Sequence, residues 1–290
     1  MNIWITGASG MLGQDLIKVA LRAGHKVLAT DREVDITAES QVREFLATNS
    51  VDALVNCAAY TAVDLAESEQ DQAFALNAAG PEILALATAN LEIPMLHIST
   101  DYVFNAQKKE ALGEGEALDP VSVYGKTKLQ GEIRVQAHNP KHWIVRTAWL
   151  YGLYGNNFVK TMLELIATKE SIEVVNDQIG TPTWSVDLAL AIIAILEKNS
   201  DFGVYHYSNL GQTSWYEFAH AIQRMAVERE LLEKSIEIRP VPSTEFPTEA
   251  QRPTWSVLDK SLIQQKFALE IPHWEESLNN YLYLEKLFRE

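Results

Sequence analysis

Tyr124 and Lys128 stand four residues apart in Tyr124-Gly125-Lys126-Thr127-Lys128. On a helix, positions i and i+4 share one face, so this spacing sets a phenol beside an ammonium. A nearby cation favours phenolate and is expected to lower the tyrosine pKa. A phenol tuned in this way can give its proton to a carbonyl oxygen as hydride reaches the carbon. The spacing alone is common, and an exposed helix carries such pairs without any chemistry. Its place decides the reading: it lies one strand–helix unit after the strand end Ser99-Thr100-Asp101, whose Thr100 hydroxyl can hold the same carbonyl oxygen.

A hydride needs a carrier, and the N-terminus offers a site for one. Gly7-Ala8-Ser9-Gly10-Met11-Leu12-Gly13 spells G-x-x-G-x-x-G directly after an apolar strand and before a helical pattern. Gly7, Gly10 and Gly13 let the backbone turn tightly and approach a pyrophosphate, and the helix N-terminus adds free N–H groups. Asp31, at the end of the second strand, can accept hydrogen bonds from the adenosine ribose and favours NADH. Arg32 next to it can pair with a 2′-phosphate and favours NADPH. The two residues argue in opposite directions.

These groups must be positioned by a regular frame. Strands are expected at 2–6, 26–31, 53–57, 95–100 and 143–146, with helices at 12–20, around 42–46, at 71–89 and at 124–136 between them. Strands alternating with helices predict parallel pairing and a doubly wound α/β fold of Rossmann type. The second half is less regular. Helices are expected at 157–167, 186–198, 214–229 and 274–288, the third opened by the capping box Ser214/Glu217, and strands at 204–208 and 236–241. This divides the chain into a dinucleotide-binding domain, 1–150, and a smaller C-terminal substrate-binding lobe, 151–290, interleaved with it.

The 290 residues carry 24 Lys and Arg against 39 Asp and Glu, a net charge of −15. A surface of that sign repels phosphate backbones, so nucleic acid is not an expected partner. The single cysteine, Cys57, sits among apolar neighbours and reads as a core thiol. The chain opens as a strand entering a glycine loop, not as a leader, and its longest apolar run, 188–196, is far short of a membrane span. A cytoplasmic protein with no membrane partner is expected. The seven histidines show no metal-ligand spacing, and His97, between Leu96 and Ile98, reads as a satisfied core residue. Asn77, inside a helical stretch, suggests a local hydrogen bond.

The glycines, the Thr100 strand end and the Tyr124/Lys128 pair together resemble the extended short-chain dehydrogenase/reductases. Within them the chain is similar to the dTDP-4-dehydrorhamnose reductase family. The matching stretches are 56–64, Ser99 to Phe104, Arg146-Thr147-Ala148-Trp149, 155–158, Val175-Asn176-Asp177-Gln178 with Pro182-Thr183, and Arg252-Pro253 with Ser256 and Leu258-Asp259. They cover residues 1 to about 260. The resemblance implies Tyr124 as proton donor, Lys128 as its partner and nicotinamide-ribose ligand, and Thr100 as the group that orients the carbonyl. It implies backbone contacts from Met11 and Leu12 to the pyrophosphate, Asp35 and Ile36 at the adenine, and Ala58, Ala59, Tyr60 and Thr61 along the middle of the cofactor. Asp101 and Trp149 would meet the sugar, and Arg252 the diphosphate of a dTDP-linked keto-sugar. Trp149 read from the residues alone is equally a core side chain. Some relatives hold magnesium at a dimer interface through acidic side chains. Here Asp15 replaces the usual glutamate and no acid follows Pro182-Thr183 before Asp187, so neither that metal nor a homodimer built on it is expected. At Trp255, relatives often carry a polar residue. Two alternatives share the fold: another nucleotide-sugar epimerase or dehydratase, and a non-catalytic dinucleotide-binding subunit resembling the regulatory subunit of methionine adenosyltransferase.

Overall fold

A computed structural model describes residues 1–105 and 109–289. Its centre is a six-stranded sheet built from β1 (Asn2–Thr6), β2 (Lys26–Thr30), β3 (Ala53–Asn56), β4 (Met95–Thr100), β5 (His142–Thr147) and, after four short strands of the second half, β10 (Gly203–His206). Every pairing is parallel, in the spatial order β10-β5-β4-β3-β1-β2. The chain runs outward from β1 to β2, then returns to place β3 on the other side of β1. Ligands of such sheets bind at this reversal, in the crevice outside the carboxyl ends of the strands. Here the reversal brings Thr6 level with Asn56 and so sets the glycine loop against the residues that follow β3.

Both sheet faces are covered, so the strands are apolar throughout instead of alternating. Ile3, Ile5, Val55, Leu96 and Val145 pack under α1 (Met11–Arg22) and α7 (Ser185–Lys198). Trp4, Leu54, Met95 and Ile144 face α2 (Glu39–Thr48), α4 (Gly80–Ala89) and α5 (Val123–His138). One helix and one strand of the second half, α7 and β10, thus complete the first half's core.

The stretch expected as a single helix over 71–89 is broken into α3 (Gln70–Phe74), a π-helical turn (Ala75–Ala79) and α4. Pro81 explains the break. It has no N–H to give to the carbonyl of Asn77, four residues back, and the ladder widens there. Gly131 of α5 packs against that carbonyl, so closely that a β-carbon would overlap it.

In the lobe, α6 (Phe158–Thr168), α8 (Trp215–Glu228) and α10 (Trp274–Arg289) enclose a second core around Leu163, Phe218, Ile222 and Tyr281. The Ser214/Glu217 capping box opens α8 as expected. Several elements lie outside the sequence reading. β7 (Ser171–Val175) is one, and it pairs with β12 (Glu237–Val241), the strand expected at 236–241. The two-residue strands β6 (Leu150–Tyr151), β8 (Ile179–Gly180), β9 (Thr183–Trp184) and β11 (Thr213–Ser214) are too short to show a period, and α9 (Ser261–Phe267) is similarly brief. No described helix is long and apolar enough to cross a membrane.

Candidate active site

A cleft of about 780 Å³ opens at the carboxyl ends of β1, β3, β4 and β5. One end is the glycine loop. Gly7 has φ +67°, and a β-carbon on it would lie 2.5 Å from the amide nitrogen of Ala58. A β-carbon on Gly13 would overlap the Gly7 carbonyl. Only glycine lets the loop, the start of α1 and the chain after β3 approach this closely. Gly10, Met11 and Leu12 line the same end, as do Asp31, Arg32, Asp35 and Ile36. The Asp31 carboxylate is tied to the loop through the amide (3.0 Å) and hydroxyl of Ser9. Arg32 is exposed and makes no ion pair among the described residues. Ala58, Ala59 and Thr61 line the middle of the cleft, whereas Tyr60 does not. Its phenol donates to Glu69 (2.6 Å), and its backbone is clamped by Asn77, whose side-chain oxygen accepts the Tyr60 amide (2.8 Å) and whose nitrogen donates to the Tyr60 carbonyl (3.1 Å). The π turn therefore aims Asn77 at the loop that follows β3.

At the other end, successive residues of β4 hold successive turns of α5. The Ile98 carbonyl accepts from Lys128 Nζ (2.6 Å), and the Ser99 hydroxyl donates to Glu132 (2.5 Å). The Thr100 hydroxyl is hydrogen-bonded to the Tyr124 phenol and donates to Asp101 (3.0 Å). Thr100, Asp101, Tyr124, Lys128 and Trp149 all line the cleft.

The electrostatics differ from the expectation of a tyrosine lowered by its lysine. Burial pushes the Tyr124 phenol up to about 12, against a smaller opposing effect of the Thr100 hydrogen bond. Lys128 is itself desolvated and brought down to about 8, with Glu132 the main group opposing that fall. Burial of both groups outweighs the attraction that spacing alone suggests. The consequence is a phenol that keeps its proton through the neutral range. Burial also raises Asp101 to about 6, with hydrogen bonds from Thr100 and Ser256 pulling it back. Cys57 is pushed up to about 12 by burial, as a core thiol should be.

Trp149 is held in an unusual conformation. Its backbone is left-handed (φ +48°), a genuine outlier for a bulky residue. Its indole stacks on Trp215 at 3.5 Å with planes 9° apart, and its carbonyl accepts from Thr183 N (3.1 Å). Arg252 stands apart from the cleft lining: its guanidinium pairs with Asp64 at 2.8 Å. A second, more open depression of about 840 Å³ runs along α8 past Tyr216, His220 and Arg224, and none of the site residues expected from the sequence line it.

Sequence comparison settles the relationship. The profile of the family described as RmlD substrate binding domain matches residues 1–286. A dTDP-4-dehydrorhamnose reductase of Aggregatibacter actinomycetemcomitans is 41% identical over 286 residues, covering 96% of this chain and 97% of its own. The chain belongs to the dTDP-4-dehydrorhamnose reductase family. Among solved structures, a dTDP-4-dehydrorhamnose reductase of Clostridium acetobutylicum superposes with a TM-score of 0.93 at 41% identity, covering 99% of this chain and 100% of its own. Another from Bacillus anthracis, in complex with NADP, gives 0.92 at 38% identity, covering 98% and 99%.

The family resemblance also raises the interface magnesium, and the residues at that place do not fit it. Asp15 is buried and accepts the Ser185 hydroxyl, and burial raises its pKa. Asp187 accepts from Asn209 Nδ2 (2.7 Å) and Ser277 Oγ (2.5 Å). Both carboxylates are used within the fold instead of facing outward. Stripping the protein with EDTA is accordingly expected to leave its turnover and its oligomeric state by light scattering unchanged.

Sequence reading gave no site role to Trp215 or Glu132, nor to Ser256, although Ser256 stands in one of the matching stretches. Ser256 and Trp215 come from the lobe and reach the cleft through side chains that line it, Ser256 through Asp101 and Trp215 through Trp149, contacts that no local pattern encodes. Glu132 carried a usable signal: it lies four residues beyond Lys128, on the face already assigned to the chemistry.

Proposed function

We propose that this chain reduces the 4-keto group of dTDP-4-dehydro-β-L-rhamnose, with NADPH as reductant, to give dTDP-β-L-rhamnose. Family membership supports the reaction class. The observation that carries it is the placing of Tyr124 beside Thr100 in the cleft whose far end is the glycine loop, where burial favours the phenol that keeps its proton. When bound, NADPH supplies the hydride. Gly7, Gly10, Met11, Leu12 and Gly13 cradle its pyrophosphate, Asp35 and Ile36 border its adenine, and the loop 58–61 runs along its middle. Thr100 and Tyr124 point hydroxyls at the substrate carbonyl oxygen, and Tyr124 delivers the proton that turns it into a hydroxyl. Lys128 anchors the nicotinamide ribose. Asp101 and Trp149 border the sugar, and Arg252, poised on Asp64 at the rim, meets the diphosphate. The location that goes with this chemistry is the cytoplasm.

Incubating the protein with dTDP-4-dehydrorhamnose and NADPH and following loss of reduced-nicotinamide absorbance tests the reading. Stoichiometric oxidation with formation of dTDP-rhamnose is expected, and absence of turnover would remove it. An epimerase would convert its substrate without net consumption of the nucleotide, and a regulatory subunit would bind NADPH without turnover.

NADPH is preferred in this reading because the Asp31 carboxylate is already tied to Ser9 while Arg32 stands unpaired beside it. A charge-assisted contact to a 2′-phosphate contributes roughly 1.5–3 kcal/mol, so Arg32→Ala is expected to weaken NADPH by about tenfold and NADH little. Titration of nucleotide fluorescence with both cofactors checks this, and equal losses would make Arg32 a surface charge.

A further inference from the structure

Tyr124, Lys128 and Glu132 follow one another at intervals of four along α5, so one helix face carries proton donor, ammonium and carboxylate in register. Glu132 is fully buried. Its carboxylate is gripped from two strands: Arg146 of β5 reaches it through Nε (3.0 and 3.2 Å) and a terminal nitrogen (2.7 Å), and the Ser99 hydroxyl of β4 donates to it. Arg146 in turn touches His206 Nε2 of β10 at 3.3 Å and the Glu114 carbonyl at 3.5 Å. Carrying a fully desolvated ion pair directly behind an active site is costly, because each charge must be stripped of water. A packing role alone would be served by apolar side chains.

We propose that Glu132 is a positioning residue of the reductase site, tying α5 to the ends of β4 and β5 and supplying the negative charge that Lys128 faces. The inference rests on the assignment of Tyr124 and Lys128 above and extends it by one turn of helix. Among the groups that hold the Lys128 ammonium charged, Glu132 comes first. Cys57, after β3, is a thiol that burial keeps protonated up to about 12. His97, on β4, is buried, accepts a hydrogen bond at Nδ1 from Asn56 Nδ2 (3.0 Å), and is driven well below its ordinary range by desolvation, so it stays neutral. Tyr124, on α5, keeps its proton up to about 12. Around Glu132 itself, Arg146 is the counter-charge, His206 is lowered to about 3 by burial and by Arg146, and Glu114 lies beyond Arg146. Burial brings Lys128 down to about 8, and Glu132 is the first of the groups that hold it up. Without that carboxylate the ammonium loses its proton at lower pH.

The test is the pH dependence of NADPH binding to the free enzyme, measured by fluorescence, and of kcat/KM for wild type, Glu132→Gln and Glu132→Asp. Wild type is expected to lose affinity as pH rises through about 8. In Glu132→Gln this limb should move toward neutrality by about one pH unit or more. In Glu132→Asp it should stay near its wild-type position while thermal stability falls, because the charge survives although the fit does not. Glu132→Gln strands Arg146 in the interior. If that variant does not fold, the double variant Glu132→Gln/Arg146→Met, which removes both charges, takes its place and should move the limb in the same direction by a smaller amount. A limb that keeps its wild-type position in the charge-removing variant would overturn the proposal and leave Glu132 a structural residue. Wild-type protein that binds NADPH with no such limb, or shows no turnover, would instead remove the assignment of Lys128 and Tyr124.

Discussion

Tyr124→Phe is expected to lower kcat by ~10²-fold or more, the usual scale for loss of a general acid. The substitution takes away one hydroxyl and almost no volume, so the T-shaped contact with Tyr102 (5.4 Å between centroids) and the packing of α5 persist. NADPH affinity should change little, since Lys128 keeps its bond to the Ile98 carbonyl without help from the phenol. The wild-type rate should show no limb from the phenol across the neutral range, because burial holds that group protonated up to about 12. Steady-state kinetics of the two proteins with a fixed sugar nucleotide decide the matter. Near-normal turnover in the variant would mean that the proton comes from elsewhere, Asp101 being a carboxyl group in the same cleft that burial raises to about 6.

Gly7→Ala is expected to raise the Kd for NADPH by at least about tenfold. Two costs combine. A left-handed backbone costs an L-residue roughly 1–2 kcal/mol. The added methyl would also lie 2.5 Å from Ala58 N and 2.7 Å from its Cα, and both belong to backbone that cannot swing aside. The loop must therefore pull away from the chain after β3, and the cradle for the pyrophosphate opens. Gly24→Ala separates the two costs. Gly24 shares the positive φ (+82°), but a β-carbon there meets nothing within 4 Å. It should lose about 1 kcal/mol of stability and keep wild-type cofactor affinity. Equal affinities for the Gly7 and Gly24 variants would show that the close approach of the loop is unimportant to binding.

By itself the sequence determined the parallel sheet, the glycine loop and the shared face of Tyr124 and Lys128 on α5, because each depends on near neighbours in the chain. Apolar runs of strand length between helical patterns, glycines at fixed offsets and an i, i+4 pair are local facts, and local backbone geometry translates them directly. Pro81 also stood in plain view as the cause of the π turn that aims Asn77, although its effect on the helix was not read from it. Tertiary structure decided what depends on partners far along the chain. Trp215 reaches Trp149 across 66 positions of chain, and Arg146 on β5 meets Glu132 on α5 only because the helix packs back against the strand that follows it. Arg252 is drawn to Asp64 instead of standing free over the cleft, since the loop that carries it closes on the segment after β3. The protonation states needed the folded molecule most of all. Spacing suggested that Lys128 would lower the Tyr124 pKa, but a charge's effect depends on how much water the fold removes, and burial raised the phenol while lowering the lysine. Desolvation is a property of the assembled interior, and no run of neighbouring residues encodes it.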